Sequence, residues 1–318
     1  MYEVRITVVD ANRRLDKFLF MYMKNAPSSL VYKLLRKKRI KLNGKRASGG
    51  ELLADGDTIG MYLSQETISE LRKAGEHSLP SQRELDIVFE DEHLLIVNKP
   101  IGIPSHGGMK GKDAHLLARV LYYLRKTGAY PHDATFTPAL CNRLDVNTSG
   151  LVICGKNYQA IRAVNAAFAN KGSIDKFYLA IVQGELHGSA TLEGHYQKDT
   201  STNTARISNH PDSPRAITVY KSISISQGQS LVQINPVTGR SHQIRAHMAT
   251  IGHPLMGDKK YGGKAVPYNS GQLLHCYQLK LTKPFINYPT DTTWTAEPPE
   301  NFIQIIKELN LCNPRKQL

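Results

Sequence analysis

Half of the excess positive charge of this chain lies in its first fifth. Residues 1–64 hold thirteen Lys/Arg against six Asp/Glu, a net of +7, in a 318-residue chain whose formal charge is +14. That concentration argues for a dedicated binding module followed by a larger unit, and the sign of the charge points to a polyanion, most often nucleic acid. A membrane partner is not expected. There is no lipidation signal, and no apolar stretch approaches the length of a span or of a signal peptide. Hydrophobic residues make up 41% of the chain, which at this length can still bury a core.

The pattern inside the basic module is helical, then extended. Leu15, Phe18, Leu19 and Tyr22 recur at helical spacing. Ser28 or Ser29 is placed to cap a second helix, with Val31, Leu34 and Leu35 on one face and Lys33, Arg36 and Lys37 largely on the other. Ile40 and Leu42 lead into Asn43-Gly44, a strand entering a tight turn, and Asp55-Gly56 marks another. Residues 65–84 are polar, with Pro80 and several serines, and read as a linker with a short helical piece near residues 68–74. Residues 85–318 form the larger unit. Leu85–Phe89 and Leu94–Pro100 read as paired strands, residues 114–126 and 158–170 as helices. Residues 174–184, 216–226, 230–236 and 273–281 read as strands, and residues 241–250 as a helix ended by Gly252. Many strands with a few helices, and no regular alternation, predict an α+β fold.

Composition also excludes chemistry. The four cysteines, at 141, 154, 276 and 312, form no C-x-x-C pair, so a zinc finger is not expected and a reducing cytoplasm is. His242, His247 and His253 lack the spacing of a zincin pair, and no metal is expected. No phosphate-binding or dinucleotide-binding glycine fingerprint is present.

Two dense segments remain. Asn142-Arg143-Leu144-Asp145-Val146-Asn147-Thr148-Ser149-Gly150 sets a carboxylate beside an arginine just before an apolar run. About ninety residues on comes Gly239-Arg240-Ser241-His242-Gln243-Ile244-Arg245. Taken alone, Asp145 fits an Asx-turn or loop ion pair, Arg240 a phosphate contact, and Tyr178 in its strand pattern a core aromatic. Together the segments resemble the signature of the RluA family of RNA pseudouridine synthases, written H-R-L-D-x-x-T-S-G, with Asn142 in place of the histidine. Lys99-Pro100-x-Gly102 resembles the opening motif of that family's catalytic domain, and Gly257-Asp258-x-x-Tyr261-Gly262 its run after the helix, read here as structural. The first sixty residues resemble the alpha-L RNA-binding motif.

The resemblance implies a mixed, mostly antiparallel central sheet behind a small N-terminal α/β RNA-binding domain. It implies isomerisation of uridines within RNA by one aspartate, without a cofactor. Asp145 would be the catalytic residue, Arg245 its partner, and Tyr178 the ring against the uracil. Arg143 would help displace the flipped base, a step that costs a few kcal/mol, or contact phosphate. Arg240 would meet phosphate, while His242 and Gln243 would support the loop or touch RNA. Large-subunit ribosomal RNA is the expected substrate and a monomer the expected state. The rival reading is a non-catalytic RNA-binding or ribosome-assembly factor that kept the fold.

Overall fold

The computed structural model describes the chain except residues 8–9, 73–83, 108–114, 131–135, 170–172, 209, 211, 268–270 and 313–318. The N-terminal part builds its own sheet and its own core. It runs β1 (Tyr2–Arg5), α1 (Leu15–Tyr22), α2 (Ser28–Arg36), β2 (Ile40–Leu42), β3 (Lys45–Arg46), β4 (Thr58–Met61) and α3 (Gln65–Arg72), with strand order β1-β4-β2-β3. Leu15, Phe18 and Leu19 of α1 and Val31, Leu34 and Leu35 of α2 close over Ile40, Ile59 and Met61 of the sheet. Pro27 rather than a serine precedes α2, and no side chain caps it; its fixed φ suits the entry to a helix. The first part of the expected linker is also different. Residues 65–72 are the helix α3, because Ile68 and Leu71 give an otherwise polar stretch one apolar side that packs on this core. Most of the remaining linker residues lie outside the described residues.

The larger part runs β5 (Ile87–Glu90), β6 (Leu94–Lys99), α4 (Leu116–Lys126), β7 (Ala139–Leu140), β8 (Ser149–Gly155), α5 (Tyr158–Ala169) and β9 (Ile174–Gln183). It continues with β10 (Ser189–Asp199), β11 (Thr204–Ser208), β12 (Arg215–Ser226), β13 (Gln229–Pro236), α6 (Gln243–Thr250), β14 (Leu274–Leu281), β15 (Thr293–Thr295) and α7 (Glu300–Glu308). Among the described residues one sheet runs β11-β10-β12-β13-β9-β14-β8-β6-β5, with β15 beside β14 and β7 beside β8. Every pairing is antiparallel except β14 with β8. The fold is α+β with a mixed, mostly antiparallel sheet, as the sequence predicts. Alternate residues of β9 face opposite cores: Tyr178, Ala180 and Val182 on one side, Leu179 and Ile181 on the other under α7. The hairpin β10–β11 was not legible because its residues are mostly polar and nearly all exposed or half-buried, without apolar alternation. Helix α6 starts two residues later than expected, because His242 is left-handed at φ 56°.

The parallel pairing explains the T-S-G of the first motif. Gly150 sits at φ +117°, and a Cβ there would lie 2.3 Å from the Cys276 carbonyl oxygen of β14. Only glycine lets the two strands close. Ser149 Oγ lies 2.9 Å from His275 Nδ1, and Gln272 Nε2 donates to Thr148 Oγ1 at 2.9 Å. This seam fixes where the loop before β8 enters the middle of the sheet, between β14 and β6.

The two parts meet through Arg13. Its guanidinium is 1% exposed and sits 4.2 Å from the ring centre of Tyr158 at the start of α5, and 5.5 Å from that of Phe136. Asp10 lies 3.2 Å away, and Lys24 Nζ donates to Thr137 Oγ1 at 2.8 Å nearby.

Candidate active site

A cleft of about 920 Å³ opens over the sheet between the loop before β8, strand β9 and the loop leading into α6. Asp145 is at its floor, in a turn closed by the Thr148 N–H on the Asp145 carbonyl at 3.0 Å. The turn is held on both sides. Ser105 Oγ donates to the Leu144 carbonyl and accepts its N–H, both at 3.0 Å. Lys99, at the end of β6, is fully buried and donates to the carbonyls of Pro100 and Ile103 at 2.9 Å and of Val146 at 3.2 Å. Burial pushes the Lys99 ammonium down to about 7, with the charge of Asp145 pulling the other way. The K-P-x-G segment is therefore a bracket under the aspartate loop.

The side chain of Asp145 is 31% exposed. Its Oδ2 accepts from Arg245 Nη1 at 3.0 Å and faces His242 Nε2 at 3.6 Å. Among the described residues Oδ1 accepts no hydrogen bond, so that oxygen is open to the cleft. Arg245 is the third residue of α6. Its other edge forms a fork on Asp258, Nε to Oδ2 at 2.6 Å and Nη2 to Oδ1 at 2.8 Å. The Tyr261 ring lies beneath it, 4.8 Å from centre to guanidinium carbon. Burial opposes the charge on Arg245, but the bonds to Asp258 and the field of both carboxylates prevail, and its pKa is raised.

Tyr178 is 8% exposed on the cleft face of β9, opposite Cys276 of β14. Burial holds its hydroxyl well above the usual phenol range, and Cys276 and Asp145 add to the shift, so the ring is neutral. Cys276 is itself pushed up to about 12, and Cys141 to about 11, by burial; neither is a nucleophile at neutral pH.

The remaining expected site residues separate into two groups. Arg143 and Arg240 are exposed and line the cleft. Gln243 is buried and spends its amide on the loop: Oε1 accepts from Thr238 Oγ1 at 2.7 Å and Arg240 N at 3.1 Å, while Nε2 donates to the Ile217 carbonyl and Thr218 Oγ1, both at 2.9 Å. Of the two readings of Gln243, loop support is the one its bonds fit. Lys33 and Arg36 on α2, and Lys37 just after it, are exposed and are no part of this cleft. His242, His247 and His253 go to three different partners, Tyr261, Thr218 and the Gln183 carbonyl, and among the described residues no cluster is arranged to hold a metal.

Sequence reading missed Asp258, taken as structural, and Lys99, seen only as part of a motif. The signal for Asp258 was an acid between glycine and tyrosine soon after an arginine-bearing helix. Asn142 has a plain role. Its Oδ1 accepts the Ile153 N–H at 2.8 Å and its Nδ2 donates to the Leu151 carbonyl at 3.1 Å, splinting the chain onto β8.

Comparison with known proteins gives the family. The RNA pseudouridylate synthase family matches residues 93–250, and the S4 domain family residues 13–59, within the basic module. The ribosomal large subunit pseudouridine synthase C of Vibrio vulnificus is 31% identical over 91% of this chain and 92% of its own. The protein of the same name from Escherichia coli is 30% identical over 88% of each. Among solved structures, human RNA Pseudouridylate Synthase Domain Containing 4 shares the fold, with a TM-score of 0.55 at 22% identity over 71% of this chain and 94% of that one. Likeness along nearly all of both chains, with the two family matches falling on the cleft and on the basic module, places this protein in the family of RNA pseudouridine synthases, with an S4 domain at its N-terminal side.

Proposed function

We propose that this protein isomerises particular uridines of large-subunit ribosomal RNA, with Asp145 as the catalytic residue. The observation that carries the reading is the division of labour at one carboxylate: Oδ2 is held by Arg245 while Oδ1 is open to the cleft. Breaking the glycosidic bond, turning uracil in place and bonding its carbon 5 to the ribose moves no electrons to or from an outside reagent. A single ionised carboxylate, oriented and shielded, serves as the covalent or proton-accepting partner.

Arg245 holds the carboxylate in one orientation through its bond to Oδ2. Tyr178 offers a neutral ring face to the uracil. Arg143 and Arg240, exposed at the rim, meet the RNA backbone or fill the space the base has left. Lys33, Arg36 and Lys37 carry the S4 domain's share of phosphate binding. The four cysteines are free thiols, which fits a monomer at work in a reducing cytoplasm. Among the described residues no helix is long and apolar enough to cross a membrane.

The test is Asp145→Asn. The amide keeps the shape and removes the charge, so tritium release from carbon-5-labelled uridine RNA should fall to background while RNA affinity changes less than about threefold. Carbodiimide-stop mapping in cells with and without the gene should show missing stops in large-subunit RNA. Near-normal release by Asp145→Asn, or loss of stops only in other RNAs, would falsify the respective half of the proposal.

A further inference from the structure

The turn at residues 259–261 touches both the hairpin β10–β11 and the charged cluster at Asp145. Tyr261 Oη accepts the Ala205 N–H of β11 at 2.6 Å, and Lys260 Nζ donates to the Asn203 carbonyl beside it at 2.9 Å. On the other side the same hydroxyl lies 3.0 Å from His242 Nδ1. A phenol has one proton to give. With the Ala205 amide occupying an acceptor site on the oxygen, His242 Nδ1 is the acceptor within reach of that proton. A nitrogen that accepts cannot also carry hydrogen, so the ring proton falls on Nε2, which faces Asp145 Oδ2 at 3.6 Å.

Resting on the assignment of Asp145 as the catalytic residue, we propose that Tyr261 is a positioning residue: it fixes His242 in the Nε2–H tautomer and so aims a neutral donor at the Asp145 oxygen already held by Arg245. The opposite tautomer would turn the lone pair of Nε2 toward a carboxylate oxygen and push Asp145 out of line. The charged and titratable groups facing His242 are Asp145, Arg245, Lys260, Asp258 and Tyr261. Burial lowers the pKa of the ring, Arg245 and Lys260 lower it further, and the two carboxylates oppose them. The ring is thus neutral in the working range, where its tautomer, not its charge, is the variable. The left-handed backbone of His242, at φ 56°, turns the ring between the two partners. The ring of Tyr261 does a separate job beneath Arg245, so removing the hydroxyl alone isolates the effect.

The experiment uses the full-length protein with nitrogen-15 in its histidines. Long-range proton–nitrogen spectra should show His242 protonated on Nε2 and bare on Nδ1. Tyr261→Phe should abolish that preference and slow single-turnover isomerisation about tenfold, the effect of removing one hydrogen bond, with RNA affinity unchanged. His242→Gln keeps an N–H for Asp145 without needing a tautomer. Whatever rate that variant retains, adding Tyr261→Phe to it should cost nothing more. A wild-type His242 protonated on Nδ1, or a Tyr261→Phe protein at full rate, overturns the proposal. If Tyr261→Phe does not fold, equal rates for His242→Gln and His242→Ala overturn it instead. Asp145→Asn is assayed alongside. Activity in that variant removes the underlying assignment, whereas a dead Asp145→Asn with an indifferent Tyr261→Phe removes only the positioning role.

Discussion

The S4 domain keeps the cations of its basic helix in water, and the catalytic domain buries the ones that shape its cleft. Lys33, Arg36 and Lys37 are all exposed, whereas Lys99 and Arg245 are sealed among backbone carbonyls and carboxylates. An exposed ammonium keeps its hydration and acts on phosphate through a field that salt screens. A buried guanidinium has lost its hydration and must be matched bond for bond. Charges of the first kind add up and can be changed singly. Those of the second kind form a unit, and disturbing one member strands the others.

The largest break in that contrast should come from Arg245→Met. It leaves Asp258, 1% exposed, without its partner, and removes the clamp on Asp145. Breaking a buried pair from one side costs about 3–5 kcal/mol, and activity should fall at least about a hundredfold. Thermal melts and tritium release measure both; an unshifted melting temperature with full activity would remove Arg245 from its place in the cluster.

Acid should separate the two domains next. Burial holds His247 and His275 of the catalytic domain down at about 4. The unfolded chain takes up these protons near 6.5. Between those values the unfolded state binds more protons, so stability drops as the pH is lowered, by up to about 1.4 kcal/mol per pH unit for each histidine. Residues 1–64 contain no histidine. For Asp16 and Glu51 there, burial acts upward but hydrogen bonds prevail and lower both pKa values, so their support survives to below the ordinary carboxylate range. Hydrogen-exchange protection in the full-length protein should drop in the catalytic domain alone between pH 7 and 5. Equal losses in both regions would dissolve the distinction.

Reversing Lys33, Arg36 and Lys37 to Glu should leave the melting temperature alone and flatten the plot of log affinity against log salt, by roughly 0.7–0.9 for each phosphate no longer neutralised. Slopes identical to wild type would make that face of α2 merely solvated. The smallest effect belongs to Asn142→His. Its amide only splints β8, so isomerisation should stay within about threefold. A protein inactive until given that histidine would restore the reading of an RNA-binding factor without catalysis.

How far each domain was legible follows from the same contrast. Helices α1 and α2 declared themselves because apolar residues recur at helical spacing, in α2 with cations on the opposite face. Asp145 and Arg245 were legible through motif resemblance, though no local pattern says that residues a hundred positions apart will meet. Asp258 and Tyr261 were not, because their roles exist only once α6 and the turn at 259–261 fold against each other. Lys99 sat in a strand whose neighbours predict core, and a lysine there gives no hint of three carbonyls waiting beneath the loop. The hairpin β10–β11 was invisible for the opposite reason: it lies at the sheet's edge and buries too little to leave a pattern.

Arg13 runs against the habit of its own domain. It is the cation that the S4 domain buries, between Tyr158 and Phe136 of its neighbour. An attraction between a guanidinium and aromatic faces, sealed from water, lies beyond the reach of dissolved ions, which thin only the fields that cross solvent. Ionic strength therefore acts on the two interfaces of this molecule unequally. It would loosen the phosphate contacts proposed for α2 and leave the seam between the domains shut. The enzyme can let go of a finished RNA without letting go of itself.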